Sequence, residues 1–473
     1  NDNYETVLCD NCDNDGFRND VKQWSIDENI PQSSLKRLLD IFHKRIPNVF
    51  PRDPRTLLQT PISQIEIRTI GEGVNTEQYW HYGLEKSLKL QLKNLKKSTT
   101  ISLNVNMDGL PLHESSRHEF WPILASIHEM SGAPPMIIGI YYGVGKPNDV
   151  KWFLTPFISE LQNILDKGII IDGVDGDSVH IRVQLRAFIC DSPARAYVKG
   201  VTYCNGQHGC HKCTTVGEWS YETNCNIFPH TFSEKRNDAD FRSKNYSSHI
   251  KMESPLQVLP INMVEDFVTS DELHLLHLGE MKKLLLKWRD GKFKNKVVKW
   301  TAQQISNISQ EMEKFKLPSE CHRSVRGLDY LSVWKGVEFR NFLHYVGIVI
   351  LKDIVPESVY EHFLRLFGAV TICSSENYKN LLDIAHQMLC DYVELYKKIY
   401  GKDYIISNVH NLVHIVDDVK RFGILQTISS YPFENELYKI KNLLRTGHKP
   451  LQQVAKRIIE KSQTQIFKDK QMN

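Results

Sequence analysis

The sequence predicts an α/β protein: a mixed-sheet core interrupted by a large, mainly helical insertion. Three observations carry that expectation. Ile101 to Met107 and Val179 to Ile189 alternate apolar and polar residues at period two, the mark of half-buried strands, and the first runs straight into Asp108 while the second is followed at once by Cys190-Asp191. Between Leu273 and Tyr400 the apolar spacing changes to the helical period. At 473 residues, one large domain with an insertion, or two to three smaller domains, is expected.

Composition narrows the function classes. An apolar fraction of 41% and a charged fraction of 24% are ordinary for a globular protein. Apolar runs such as Val346 to Leu351 fall far short of a membrane span, and the acidic start Asn1-Asp2-Asn3 does not read as a signal peptide. Ten Cys in a chain of this length make no disulfide framework; Cys9/Cys12 and Cys210/Cys213 instead have metal-ligand spacing, which favours a reducing compartment. A net charge of +3 does not by itself indicate nucleic acid. Basic residues cluster at Lys86 to Lys97, Lys282 to Lys299 and Lys439 to Lys461, and each cluster reads equally as a solvated helix face or a DNA contact.

Residues 1–60 read as a small helical unit with possible DNA binding. Val21 and Trp24 share one face of a first helix, and Ser33 or Ser34 caps a second whose core face is Leu35, Leu38, Leu39 and Phe42. The pair is compatible with a helix-turn-helix, although plain helix packing is preferred. Cys9 and Cys12 read as half of a zinc site completed elsewhere. Residues 61–99 give mixed signals and serve as a linker into the core.

Residues 100–213 form the first part of the core. The strand Ile101 to Met107 ends on Asp108-Gly109, and two more strands are expected around Phe120 to Ile127 and Pro135 to Tyr142. Helical spacing follows from about Trp152 to Leu165. The strand Val179 to Ile189 then ends at Asp191, and Ser192-Pro193 opens a helix with proline where its missing N–H costs nothing. Three strands, a helix, a strand and a helix are the order of an RNase H-like core, in which the first and fourth strands lie side by side. That neighbourhood would bring Asp108 and Asp191 together. Their phases disagree: Asp108 continues the polar phase of its strand, Asp191 the apolar phase of its own.

Residues 214–405 read as the insertion. Residues 214–260 are irregular, and helices are expected at Leu273 to Trp288, Trp300 to Phe315, Phe339 to Leu351, Val359 to Phe367 and Tyr378 to Tyr400. Residues 406–473 return to the core. Ser407 is expected to cap a helix ending near Gly423, with His410 and His414 one turn apart on one face. A final helix starts near Pro432, buries Phe433, Leu437, Ile440 and Leu444, and carries Glu434 in its first turn.

Two metal sites are expected. Cys210, Cys213, His410 and His414 have the ligand type and number of a closed structural Zn²⁺ site; His274/His277 and His208/His211 are weaker rivals. Asp108, Asp191 and Glu434 are hard oxygen ligands suited to two Mg²⁺ or Mn²⁺ ions about 3.5–4 Å apart, with Glu436 the rival for the third acid.

Several stretches together resemble one enzyme family. They are Asn106-Met-Asp-Gly-Leu-Pro-Leu112, Phe120-Trp-Pro-Ile123, Cys190-Asp-Ser-Pro-Ala-Arg195, Gly209-Cys-His-Lys-Cys213, Trp334-Lys-Gly-Val-Glu-Phe-Arg340, His410-Asn-Leu-Val-His414 and Ser430-Tyr-Pro-Phe-Glu434. In order and spacing the chain resembles a DDE/D transposase of the CACTA (En/Spm-like) group, related to Transib elements and the catalytic subunit of the V(D)J recombinase. Asp191 precedes Cys210 by 19 residues and His414 precedes Glu434 by 20, as in that family; the two His are separated by three residues, where some relatives have four. The resemblance covers roughly residues 100–450. It implies cut-and-paste cleavage and strand transfer on double-stranded DNA at transposon ends, Asp108, Asp191 and Glu434 as the catalytic acids, a homodimer or larger assembly on DNA, and a nuclear location. In similar enzymes an aromatic residue of the insertion stacks on an unpaired base, which makes Trp334 a candidate, although a buried Trp on an insertion helix is the preferred reading. Arg195, just after the second Asp, is a candidate phosphate contact, and Arg340 either does the same or pairs with Glu338. A domesticated DNA-binding scaffold, or a nuclease of the same fold without strand transfer, are the alternatives.

Overall fold

Eight strands make one mixed sheet in this computed structural model, which describes residues 10–61, 65–73, 76–114, 116–172, 177–319, 321 and 323–472. The strands are β1 Arg68–Ile70, β2 Glu77–His81, β3 Thr99–Met107, β4 Leu110–Pro111, β5 His118–Ile127, β6 Met136–Val144, β7 Ile169–Asp172 and β8 Ser178–Phe188. Their order is β1-β2-β6-β5-β3-β8-β7, with β4 paired to β5. β3 and β8 pair in parallel; the other neighbours are antiparallel. The expected strands are present, and β1, β2 and β7 extend the sheet at its edges.

The phase conflict between the two aspartates is resolved by a β-bulge. Leu103 pairs with Leu185 but Asn104 pairs with Ala187, so β8 carries one extra residue, Arg186. Before it, Val179, Ile181 and Val183 pack into the same core as Ile101, Leu103, Val105 and Met107. After it, Ala187 and Ile189 join the core on the opposite face. The ladder continues through Ile189 N–H to Val105 O at 2.8 Å, so Asp191 leaves the strand end abreast of Asp108 and on the same face. The extra residue is also anchored: Arg186 donates to Asn104 Oδ1 at 2.8 Å and to Thr427 O at 3.2 Å, and it stacks over the Phe422 ring.

Helices Leu84–Leu92 and Val150–Lys167 cover one face, burying Leu88, Phe153, Phe157 and Leu161 among others. Asp149 caps the second by accepting from Lys151 N and Trp152 N. On the other face the helical segments after residue 270 share one core with the sheet: Leu276, Trp288, Phe339, Phe363, Tyr392, Leu412 and Phe433 cluster with Phe120, Leu124, Ala187 and Ile189. Each such buried side chain contributes about 1.5–3 kcal/mol by removal from water. The two acids therefore open toward this second layer.

Several expected helices differ in detail. The stretch expected as one helix from Leu273 is wound as a π-helix over Glu272–Met281 and as an α-helix over Lys282–Asp290. Ser407 does not cap its helix but begins it, and a 3-10 turn at Leu412–His414 separates Ser407–Asn411 from Ile415–Phe422. The last core helix is Tyr431–Asn442, followed by Pro450–Met472.

The first residues described form helices Asp10–Asp27, Gln32–Arg45 and Pro54–Leu58 around Val21, Leu35, Leu39, Phe50 and Leu57. Trp24 does not share the buried face of Val21; it is 45% exposed. Neither Ser33 nor Ser34 caps the second helix, because it starts at Gln32 behind Pro31. Arg445 donates to Asn29 O at 2.7 Å and Ile30 O at 2.6 Å, tying this unit to the C-terminal helices. The Cys9/Cys12 half-site lies outside the described residues, since Cys9 is not among them and Cys12 is described by its backbone alone.

Candidate metal centres

Cys210, Cys213, His410 and His414 converge in the interior. One donor atom from each lies within 4.8 Å of the others, and all four side chains are buried. Cys210 Sγ is 3.4 Å from His414 Nε2, Cys213 Sγ is 3.3 Å from His410 Nε2, and the two sulfurs are 3.5 Å apart. A tetrahedral ion with bonds of about 2.3 Å to sulfur and 2.0–2.1 Å to nitrogen needs donor separations of roughly 3.5–3.8 Å. These three separations are within a few tenths of an ångström of that geometry. Burial raises the Cys210 thiol, but a hydrogen bond from Cys213 and the charges of His414 and His410 outweigh it, so Cys210 is held well below the ordinary thiol range. A thiolate beside soft nitrogen donors is the form a metal requires.

The second centre lies where β3 ends. One ligand atom from each of Asp108, His274 and Glu434 lies within 4.8 Å of the others, and all three side chains are half-buried. Asp108 accepts from Gly109 N–H at 2.7 Å. Asp191 caps helix Ser192–Lys199 by accepting from Ala194 N–H at 2.7 Å, outside this tightest group but close enough for its charge to act on both other acids. Burial, then Asp191, then Glu434 push the Asp108 carboxyl well above its usual range. Burial likewise raises Glu434, against the charge of His274. Carboxylates pushed up by one another are a cluster short of positive charge, and hard oxygen donors at a rigid strand end are what a divalent cation would neutralise.

His274 and Asp271 complete the site. Asp271 caps the π-helix through Leu273 N and His274 N, and its Oδ2 holds His274 Nδ1 at 2.6 Å. Ser430 donates to the same carboxylate from both N–H and Oγ, each at 2.7 Å. The ring is so oriented that Nε2 faces Glu434 Oε1 at 3.7 Å. Burial lowers the His274 pKa, but the Asp271 hydrogen bond and charge, with Glu434 and Asp108, raise it to about 9. The sequence showed an aspartate three residues before a histidine at a helix start, which is an N-cap signature as readily as a carboxylate–histidine pair.

A pH prediction follows. Unfolded histidine titrates near about 6.5. Because the folded value is higher, protonated His274 stabilises the metal-free protein fully below about pH 6.5, and that contribution is lost as pH rises through about 9. An NMR titration of metal-free protein should place the His274 midpoint near pH 9, Mg²⁺ should pull it down, and His274→Asn should flatten stability between those pH values. A midpoint near 6.5 would show that the acids do not face the ring.

The remaining expected site residues fare differently. Glu434, not Glu436, meets Asp108; Glu436 pairs with Lys439 at 3.0 Å. His277 contacts the Tyr431 hydroxyl at 2.9 Å and is no thiolate partner, and His211 accepts from Arg195 Nε at 3.3 Å. Arg195 is corrected from a phosphate contact to an interior brace: it is 3% exposed and donates to Cys190 O at 3.1 Å, Val268 O at 2.7 Å and Ser192 Oγ at 3.0 Å. Trp334 is a core residue, as preferred, and not a base-stacking one: it is 4% exposed, with its ring against Phe339 at 5.2 Å. Arg340 does not pair with Glu338, whose carboxylate is taken by Arg326 at 2.6 Å; it lies half-buried near Glu272 and Tyr431.

Comparison with known protein families and with curated proteins gave no match for this chain.

Proposed function

We propose that the chain is a two-metal DNA transposase of the CACTA type, built on an RNase H-like core, with a structural Zn²⁺ on Cys210, Cys213, His410 and His414. The observation that carries this reading is the closeness of Asp108 and Glu434 at the end of β3, with Asp191 leaving the parallel partner β8 near enough for its charge to act on both. The strand order and directions β6-β5-β3-β8, three antiparallel strands then a parallel one, support the core assignment. The soft, buried donor set supports zinc at one centre, and the oxygen-rich, half-open set supports Mg²⁺ or Mn²⁺ at the other.

Asp108, Asp191 and Glu434 would hold the divalent ions, which when bound would supply activation of water or a 3′-hydroxyl and stabilisation of the leaving oxygen. The protein's own groups set the stage for that chemistry. Asp108 directly follows β3, and Asp191 sits between β8 and the helix it caps, so both are anchored by the parallel pair and its following helix. Glu434 arrives on a helix tied to β4 by Lys441, which donates to Pro111 O at 2.6 Å. His274, held by Asp271, can give or take a proton at Nε2 beside Glu434. The substrate on this reading is double-stranded DNA at element ends and at the target. Joining two ends calls for a dimer or larger assembly, in the nucleus.

The test supplies Mn²⁺, a target plasmid and duplexes with free 3′-hydroxyls taken from the termini flanking the chain's own gene. Covalent joining of those duplexes to the plasmid is expected. Nicking without joining would reduce the reading to a nuclease of the same fold, and DNA binding without either reaction would replace it with a domesticated scaffold.

A further inference from the structure

The two centres are joined by one path of mostly buried polar contacts, and Asp418 stands at its middle. Lys212, inside the Cys-x-x-Cys turn, contacts Asp418 Oδ1 at 2.7 Å, with side chains only 8% and 1% exposed. Asp418 lies one turn beyond His414 on the helix Ile415–Phe422. Its Oδ2 accepts from Thr269 N–H at 2.9 Å, Thr269 Oγ at 3.1 Å and Ser270 N–H at 3.1 Å. The next residue is Asp271, which holds His274 and Ser430; Glu434 N–H in turn donates to Ser430 O at 2.9 Å. Every step from a cysteine turn to a proposed catalytic acid is a hydrogen bond, an ion pair or a single peptide link.

A buried ion pair often contributes little net stability, because desolvation offsets the attraction. Here the carboxylate does something a nonpolar pair could not. It accepts three donors from residues 269 and 270, and so sets where Asp271 sits. Both ends of Asp418's environment adjoin the Cys/His cluster: Lys212 lies between Cys210 and Cys213, and the helix of Asp418 follows directly on His414.

We propose that Asp418 is a positioning residue that couples occupancy of the Cys210–Cys213–His410–His414 centre to cation affinity at the Asp108–Glu434 centre. The inference rests on the proposed function only in that both centres bind metal. Loss of the first ion releases Lys212 and His414, Asp418 lets go of Thr269 and Ser270, and Asp271 no longer holds His274 and Ser430 in place. Linkage makes the effect reciprocal.

The experiment measures Mn²⁺ affinity by electron paramagnetic resonance on full-length protein, with zinc content measured alongside. In the wild type, zinc removal by a chelator should weaken Mn²⁺ binding by about tenfold, within the roughly 5–150-fold range of such couplings. Asp418→Asn should keep one zinc per chain, bind Mn²⁺ about as weakly as the zinc-free wild type, and show no further loss when zinc is removed. If Asp418→Asn fails to fold, Thr269→Val, which deletes one hydroxyl contact on the acid side of the path, should reduce the coupling with zinc intact. Zinc-dependent Mn²⁺ affinity that persists unchanged in either folded variant overturns the inference and leaves the functional reading standing. A wild type that holds zinc but binds no Mn²⁺ overturns the functional reading instead.

Discussion

Asp108→Asn should remove divalent-dependent DNA cleavage by at least about a thousandfold while making the metal-free protein more stable. The two effects have one cause. Asp108 is pushed up by burial and by the charges of Asp191 and Glu434, so replacing it with a neutral isostere relieves repulsion in the folded state. The same change removes a ligand whose charge stabilisation is several kcal/mol, and each 1.36 kcal/mol is about tenfold in rate. Glu434→Gln should behave alike. Asp191→Asn should lose activity without unravelling helix Ser192–Lys199, because asparagine caps as well as aspartate; Asp191→Ala should lose both, the cap costing about 1 kcal/mol. Plasmid cleavage and calorimetry on the same preparations decide the matter. Activity and stability falling together in Asp108→Asn would mean that the acid serves packing rather than chemistry.

Cys210→Ser should release the ion of the proposed Zn²⁺ centre and lower the thermal midpoint. The cluster links residues on either side of the helical insertion, Cys213 to His410 and Cys210 to His414. Losing a cross-link of such span costs about 3–5 kcal/mol, and with an unfolding entropy of about 1 kcal/mol/K for 473 residues a fall of about 3–5 °C is expected. Metal analysis should change from one zinc per chain to none, and calorimetry should show the early melting. An unchanged midpoint in a zinc-free variant would demote the cluster to a bystander of a core that holds without it. Serine also leaves a buried hydroxyl, so chelation of the wild type should reproduce the shift if the metal is the cause.

Much of this was legible in the sequence because the informative patterns are local. β3 and β8 announced themselves through alternation, and Cys210, Cys213, His410 and His414 through ligand spacing joined to the order of motifs around them. Edge strands of three and four residues, Arg68–Ile70 and Ile169–Asp172, are too short for a period to show. The bulge at Arg186 left only its symptom, the mismatched phase of two aspartates, because no glycine or proline marks it. His274 was weighed as a zinc ligand rather than a neighbour of the acids, since its true partners, Glu434 and Asp108, lie far away in sequence. Arg195 misled for the opposite reason. It follows a recognisable motif, but burial is decided by the surrounding layers, which close over it as they do over Trp334, whose burial was the preferred expectation.

The Cys2His2 clamp also bears on how this chain can change over generations. The entropy of closing a loop grows only with the logarithm of its length, about 0.6 kcal/mol for each doubling. A clasp that fastens the two ends of an excursion is therefore almost blind to what lies between them. Surface segments among residues 214–405 that touch neither the acids nor the shared core can change in length while the strand ends and the returning helix keep their places. On the proposed reading, the Cys/His clasp would then be what gives lineages licence to vary that surface, and length variation among descendants should gather inside it.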